Sequence, residues 1–262
     1  MAIKVSSLSF QYPASPAKVL DSLSFKIEKN QFVGIIGPNG CGKTTLLKCL
    51  TNMVRIQEGN IFLFDKELNS LTTKQVAQLV GVVPQRWESS FSFTAKELVA
   101  MGRYAHKQRF IRDKETDEQV INKAMKATRI EHLAERPIFQ MSGGELQRVV
   151  IAQALAQTPQ ILILDEATSH LDISHQLEIF DLLKELNEQQ ELTIISIMHD
   201  LNFASQYCDQ IIMMREGKIF SQGSPKETLT AANIKEVYGV DVNVVFTNDS
   251  ERPLISVFPR IN

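Results

Sequence analysis

Along the first thirty residues the apolar positions fall mostly two apart. Val5, Leu8 and Phe10, then Val19, Leu23, Phe25 and Ile27, read as two half-buried strands, with Pro13 and Pro16 marking the turn between them. Phe32–Ile36 is short and almost wholly apolar, the pattern of a strand covered on both faces. It runs straight into Gly37-Pro38-Asn39-Gly40-Cys41-Gly42 and then a helical stretch from Lys43 to about Asn52. Residues 61–64 and 79–83 predict further strands. From about Trp87 to Ala156 the period changes, and residues 94–101, 113–128 and 143–157 carry helical spacing with no strong strand between them. After Pro159 the alternation returns: a strand at 161–164, a helix at 174–190, a strand at 193–198, a helix over Leu201–Tyr207 and a strand at 210–214. The pattern predicts an α/β core over residues 1–220, interrupted by an all-helical insertion at about 87–156. A small C-terminal extension, 221–262, follows, with β-rich stretches at 241–246 and 254–258.

Composition narrows the function classes. Lys and Arg number 28 against 30 Asp and Glu, a net charge of -2, so the basic excess of a dedicated nucleic-acid binder is missing and no nucleic-acid partner is expected. No apolar run approaches the roughly 18 to 20 residues of a membrane-spanning helix. The opening Met1-Ala2-Ile3-Lys4-Val5-Ser6 does not read as a secretion signal. Cys41, Cys49 and Cys208 form no CxxC pair, which argues against a disulfide framework or zinc knuckle and for a reducing cytoplasm. His106, His132, His170 and His175, with Cys49 and Cys208, lack metal-site spacing and read as surface or core residues.

The chemistry begins at Gly37-Pro38-Asn39-Gly40-Cys41-Gly42-Lys43-Thr44, which fits G-x-x-x-x-G-K-[ST]. Glycines let successive backbone N–H groups turn inward as an anion nest, and the next helix adds its free N-terminal donors. Lys43 can reach the β- and γ-phosphates and Thr44 can give a hydroxyl to Mg²⁺. The preceding strand and following helix are the context that separates a nucleotide phosphate site from a plain glycine-rich turn. A second magnesium anchor is available where the apolar strand at 161–164 ends in Asp165-Glu166, since ligands of parallel sheets bind at the carboxyl ends of strands. Asp165 would hold the metal directly or through water. Glu166 would polarise or orient the attacking water.

Met141-Ser142-Gly143-Gly144-Glu145-Leu146-Gln147-Arg148 lies upstream, with Ser142 23 residues before Asp165. Ser142 and Glu145 form a capping box that opens an amphipathic helix, and alone they would mark only a helix start. Two glycines in a first turn cost about 1 kcal/mol each against alanine, and an anion approaching their N–H groups is a reason to keep them. With the phosphate loop and the Asp-Glu strand, this segment resembles the signature of ATP-binding-cassette (ABC) ATPases, usually Leu-Ser-Gly-Gly-Gln. Tyr12, 31 residues before Lys43, sits where that family keeps an aromatic on adenine. Gln85 after Pro84 resembles the Q-loop glutamine, Ser169-His170-Leu171-Asp172 the D-loop, and His199 the switch histidine.

The resemblance implies a P-loop NTPase (RecA-like) core with an antiparallel β subdomain and an inserted helical subdomain. It also implies ATP and Mg²⁺ as ligands, and two subunits paired head to tail, here as a homodimer. The phosphate-loop residues and Thr45 would bind nucleotide in one subunit. Ser142, Gly143, Gly144 and Glu145, with Asp172, would face the ATP of the other. His199 would hydrogen-bond the γ-phosphate, and Gln85 would touch Mg²⁺ or the water and report to a transmembrane permease. Glu145 in place of Gln brings a charge, which as a capping partner should point back at its own helix. Cys41 stands where Ser is frequent; at a helix N-terminus beside Lys43 its thiol pKa is expected to be lowered, with N-ethylmaleimide inactivating the ATPase and ATP protecting it.

One phosphate loop, one signature and no attached membrane helices resemble a separate importer subunit. The segments Lys96-Glu97-Leu98-Val99-Ala100-Met101-Gly102-Arg103-Tyr104-Ala105-His106 and Leu171-Asp172-Ile173-Ser174-His175-Gln176-Leu177-Glu178 resemble the iron–siderophore, haem and cobalamin uptake subfamily, as does the tail Tyr238-Gly239-Val240-Asp241-Val242 with Arg252-Pro253-Leu254-Ile255. That implies a place on the cytoplasmic face of the membrane, a permease, and indirectly an extracytoplasmic binding protein. A soluble iron–sulfur-cluster assembly ATPase and a non-hydrolysing regulatory cassette are the alternatives; Glu166, His199 and Gln85 speak against the second. Trp87, close to Gln85, is either a core residue or a permease contact.

Overall fold

The computed structural model describes residues 1–13, 17–87, 91–106, 114–169, 171–246 and 251–257. Two compact units emerge, one formed by 1–70 with 195–262 and the other by 71–194.

In the first unit, β1 (Ile3–Phe10), β2 (Leu20–Ile27), β4 (Glu58–Leu63) and β5 (Lys66–Glu67) form an antiparallel sheet in the order β2-β1-β4-β5. Strand β2 buries Leu20, Leu23, Phe25 and Ile27. The alternation expected for β1 breaks at Ser7, whose φ of 49° marks an irregularity in pairing on both of its edges, so Leu8, Ser9 and Phe10 are all buried. Strand β3 (Phe32–Ile36) is buried along its whole length, as its apolar run predicts. It lies parallel to β9 (Gln210–Arg215), with Ile36 opposite Met213, and β9 turns back into β10 (Lys218–Gly223). Asp209 anchors the start of this pair: its carboxylate accepts from the Phe32 N–H at 2.8 Å while its own N–H donates to Phe32 O at 2.7 Å. The order here is β10-β9-β3-β8, where β8 (Thr193–Ile197) begins in the second unit and ends in the first.

Helix α1 (Lys43–Leu50) follows the glycine-rich loop, and α7 (Leu201–Tyr207) starts on an Asp200 cap. The C-terminal stretch is ordered by α8 (Pro225–Thr228), α9 (Ala231–Tyr238) and a hairpin of β11 (Val242–Phe246) and β12 (Pro253–Val257). Side chains clamp that hairpin to α7. The Asn202 amide donates to Ile255 O and accepts from Ile255 N, Ser205 Oγ donates to Pro253 O, and Arg252 donates to Cys208 O.

The second unit holds α2 (Thr73–Leu79), β6 (Val80–Val83), α3 (Ala95–Met101), α4 (Lys114–Ala127), α5 (Gly143–Leu155), β7 (Ile161–Asp165) and α6 (Ile173–Gln189). Strands β6 and β7 are parallel, Val80 opposite Ile161, in the order β8-β7-β6. Helices α3, α4 and α5 pack together. Gly102 lets the chain after α3 run hard against α5, since a Cβ there would lie 2.1 Å from Gln153 O. Arg103 is buried beside it, donating to Asp117 Oδ1 at 2.7 Å and to Ala156 O at 2.8 Å, so the guanidinium joins α4 to the end of α5. Each unit thus combines strands and helices, and the fold is α/β as expected. No helix among the described residues is long and apolar enough to cross a membrane.

Candidate nucleotide site

The phosphate loop leaves the buried end of β3. Gly37 has φ +151°, and a Cβ there would sit 2.3 Å from Met214 O and 2.8 Å from Cys41 Sγ, so only glycine fits between the strand end and β9. Gly42, at the start of α1, has φ +104° and would likewise strike Leu20 and the Val19 carbonyl. Lys43 is buried to all but 5% of its surface and folds back across the loop, its ammonium donating to Gly37 O at 2.8 Å and Pro38 O at 3.1 Å. A cation is therefore held at the loop by two neutral carbonyls, an arrangement that competing phosphate oxygens can replace. Asn39, Gly40 and Thr44 are exposed, whereas Thr45 is buried and its hydroxyl lies 3.4 Å from that of Tyr12, which stacks edge-on against Phe10. The same strand edge carries His199, since the Met198 N–H donates to Ile35 O and His199 follows it, exposed, just before the Asp200 cap of α7.

The expectation of an acidic Cys41 thiol is overturned. Cys41 is 3% exposed, and burial pushes its thiol up from the ordinary value against the smaller opposing pull of Lys43. Desolvation of the thiolate wins over one neighbouring cation. Alkylation of the native chain by N-ethylmaleimide at pH 7 is accordingly expected to be at least tenfold slower than in urea-unfolded protein. Mass spectrometry of the Cys41 peptide checks this, and equal rates would reverse it.

In the second unit β7 ends at Asp165, and Glu166 follows in the left-handed region with φ 48°, turning the chain sharply off the strand. The Gln85 amide, from the loop after β6, donates to Glu166 Oε2 at 2.8 Å, so the parallel β6–β7 pair brings these two predicted residues together. Both Asp165 and Glu166 are half-exposed. Among the described residues, no three His, Cys, Asp or Glu side chains group to hold a metal on their own. Mg²⁺ is commonly bound through one or two protein oxygens plus substrate phosphates, and the half-exposed Asp165 carboxylate at the end of β7 suits that chemistry.

The Ser142 segment opens α5 with the reciprocal cap its sequence predicts. Glu145 N donates to Ser142 Oγ at 3.3 Å, and Ser142 N donates to Glu145 Oε2 at 2.7 Å. Glu145 does point back at its own helix, and Arg136 adds a contact at 3.0 Å. The Ser142 N–H and hydroxyl, with Arg136, hold the Glu145 carboxyl below the usual range. This cap therefore contributes fully above ordinary carboxylate pKa values and is lost as pH falls through its lowered value.

His175 was legible only as a surface or core residue, and the structure gives it a definite place. Asp172 caps α6, accepting from His175 N at 2.9 Å and lying 2.8 and 2.9 Å from the ring Nδ1. The ring so held covers Gly144: a Cβ at 144 would be 2.5 Å from His175 Cδ2, whereas one at Gly143 meets only Leu171 Cδ2 at 3.2 Å. One signature glycine is thus required by packing. Gly144→Ala is expected to cost about 1–3 kcal/mol by overpacking. On a His175→Ala background the same change should be neutral or stabilising through helix propensity. Denaturant melts of the four proteins of that cycle measure this, and an equal cost in both backgrounds would refute it. His170, in the predicted D-loop, lies outside the described residues.

Residues 20–169 match the ABC transporter family model, and the chain belongs to that family; it is an ABC ATPase cassette. It is 41% identical to the ferric enterobactin transport ATP-binding protein FepC of Escherichia coli over 237 residues, 90% of this chain and 88% of that one. It is 40% identical to the uncharacterized ABC transporter ATP-binding protein YvrA of Bacillus subtilis over 98% of its own length, and spans 58% of YvrA. Among solved structures it is similar to the dimeric bacterial ABC transporter cassette MJ0796, with 28% identity and a TM-score of 0.74 over 85% of this chain and 98% of that one.

Proposed function

We propose that this chain is the ATP-hydrolysing subunit of an importer for an iron–siderophore-type chelate, bound to the cytoplasmic face of a membrane through a separate permease. The observation that carries the reading is its 41% identity over nearly full length to a protein named for ferric enterobactin transport. Haem or cobalamin are cargoes of the same implied subfamily.

Lys43 exchanges its two loop carbonyls for the β- and γ-phosphates, the loop amides cradle the same oxygens, and Tyr12 supports adenine. Bound Mg²⁺ supplies charge neutralisation on the phosphates, with the Thr44 hydroxyl and Asp165 as its protein donors. Glu166 accepts a proton from the attacking water, Gln85 orients that carboxylate, and His199 donates to the γ-phosphate. Two copies pair so that Ser142, Gly143 and Gly144, with Asp172 beside them, face the nucleotide of the other copy. The dimeric MJ0796 cassette supports the pairing by similarity. Closure on ATP and reopening after phosphate release drive the permease, which an extracytoplasmic binding protein loads.

The test is expression of this chain with each polytopic permease encoded beside it, followed by purification on a tag carried by the permease. Retention of the chain, with ATPase activity in vesicles stimulated by a ferric-siderophore-loaded binding protein, is the expected result. A chain that turns over ATP fully without any permease would favour the cluster-assembly ATPase instead.

A further inference from the structure

Strands β9 and β10 are joined by two residues, Glu216 and Gly217, and Arg215 pairs with Lys218 across them. Their φ values of 49° and +74° are the successive left-handed conformations of a type I′ hairpin turn. Such a turn makes no use of its second residue's own N–H and C=O, and at Gly217 both are used elsewhere. The Gly217 N–H donates to Cys41 O in the phosphate loop at 3.1 Å, and Gly217 O accepts from Asp21 N, near the start of β2, at 2.9 Å. The three segments meet at one carbonyl. A Cβ at Gly217 would lie 2.5 Å from Val19 O, and one at Gly42 would lie 2.9 Å from the same atom. The hairpin turn is thus pinned between the phosphate loop and the edge of β2.

The bond to Cys41 O sets the direction of a whole peptide unit. In a planar trans peptide the C=O of one residue and the N–H of the next point opposite ways. With the Cys41 carbonyl aimed at Gly217, the Gly42 N–H is turned away from the hairpin, and it meets no acceptor among the described residues. Gly42 supplies one of the loop amides assigned above to the phosphates, and the inference rests on that phosphate-loop reading. We propose that Gly217 is a positioning residue for nucleotide binding, its N–H holding the Cys41–Gly42 peptide so that the Gly42 N–H is presented to a phosphate oxygen. A phosphate that accepts from Gly42 polarises this peptide, and the bond from Gly217 to the Cys41 carbonyl strengthens in return. The β9–β10 turn, distant in sequence from the loop, so favours the bound nucleotide by arranging a donor before it arrives.

Two measurements on the full chain test this. The first is titration calorimetry with Mg–ADP on Gly217→Ala, whose Cβ must push the turn off Val19 O and so off Cys41 O. Gly59→Ala is the control: it has φ +84° and a Cβ 2.4 Å from Ser7 O in the same unit, so it carries a similar backbone clash between β1 and β4. Gly217→Ala should weaken binding about tenfold, the worth of one well-placed hydrogen bond, while Gly59→Ala lowers only the thermal midpoint. Equal weakening by both variants, or none by Gly217→Ala, overturns the proposal. The second measurement uses the wild type and does not depend on the variant folding. Of the 12 glycines only Gly59 and Gly217 follow a glutamate, so labelling glutamate carbonyls with carbon-13 and glycine with nitrogen-15 isolates these two amides by NMR. On adding Mg–ADP the Gly217 amide proton should move downfield, as its bond shortens, and that of Gly59 should stay. A Gly217 signal that stays or moves upfield overturns the proposal as well. Absence of Mg–ADP binding by the wild type is a different result, and would strike the phosphate-loop reading itself.

Discussion

Glu166→Gln is expected to lower ATP turnover by about two to four orders of magnitude while leaving nucleotide binding intact. The two side chains have the same shape, and Gln85 Nε2 donates to Glu166 Oε2 at 2.8 Å, a bond that an amide oxygen at position 166 can still accept. What disappears is the ability to take a proton from water. Phosphate release measures the rate, and size-exclusion chromatography with ATP and Mg²⁺ should show a dimer accumulating in the variant but not in the wild type. Turnover within tenfold of wild type would remove Glu166 from the chemistry.

The second large effect falls on Lys43. Lys43→Met keeps most of the buried aliphatic volume and deletes the ammonium, so Mg–ATP binding should weaken roughly 10- to 100-fold, the range for losing a charge-assisted hydrogen bond. The nucleotide-free protein pays as well, because the Gly37 and Pro38 carbonyls lose the donor at 2.8 and 3.1 Å. One unmet carbonyl in the buried Gly37 peptide should lower its stability by about 1 kcal/mol or more. Calorimetry and denaturant melts separate the two effects. Affinity within threefold of wild type would show that the backbone nest alone holds the phosphates.

Much of the strand and helix order was legible because the periods are strong. Phe32–Ile36 and the stretch 161–164 are apolar runs, and the helix at 143 announces itself by the reciprocal cap at Ser142. Elements that bury little escaped. Helix α2 buries only Val76, too few positions to set a period, and β10 buries none of its residues, as befits the edge of its sheet. Within the site, the loop and the Asp165-Glu166 pair could be read because their chemistry is local in sequence. The Cys41 thiol misled because proximity to Lys43 is visible in sequence, whereas the burial that outweighs that cation is set by tertiary packing. The cover that His175 places over Gly144 was invisible for the same reason, although Asp172 and His175 at a three-residue spacing after a D-loop were a usable hint of the bond between them.

The turn at Glu166 has one more implication. A non-glycine residue held at φ 48° sits in a conformation that costs of order 1 kcal/mol, and glycine would adopt it freely. The chain therefore keeps a strained backbone at the spot where a carboxylate leaves the strand, and gives up some robustness of the folded state to do so. Attempts to harden this protein against heat should leave position 166 alone, since the substitution best suited to its backbone is the one that carries no acid.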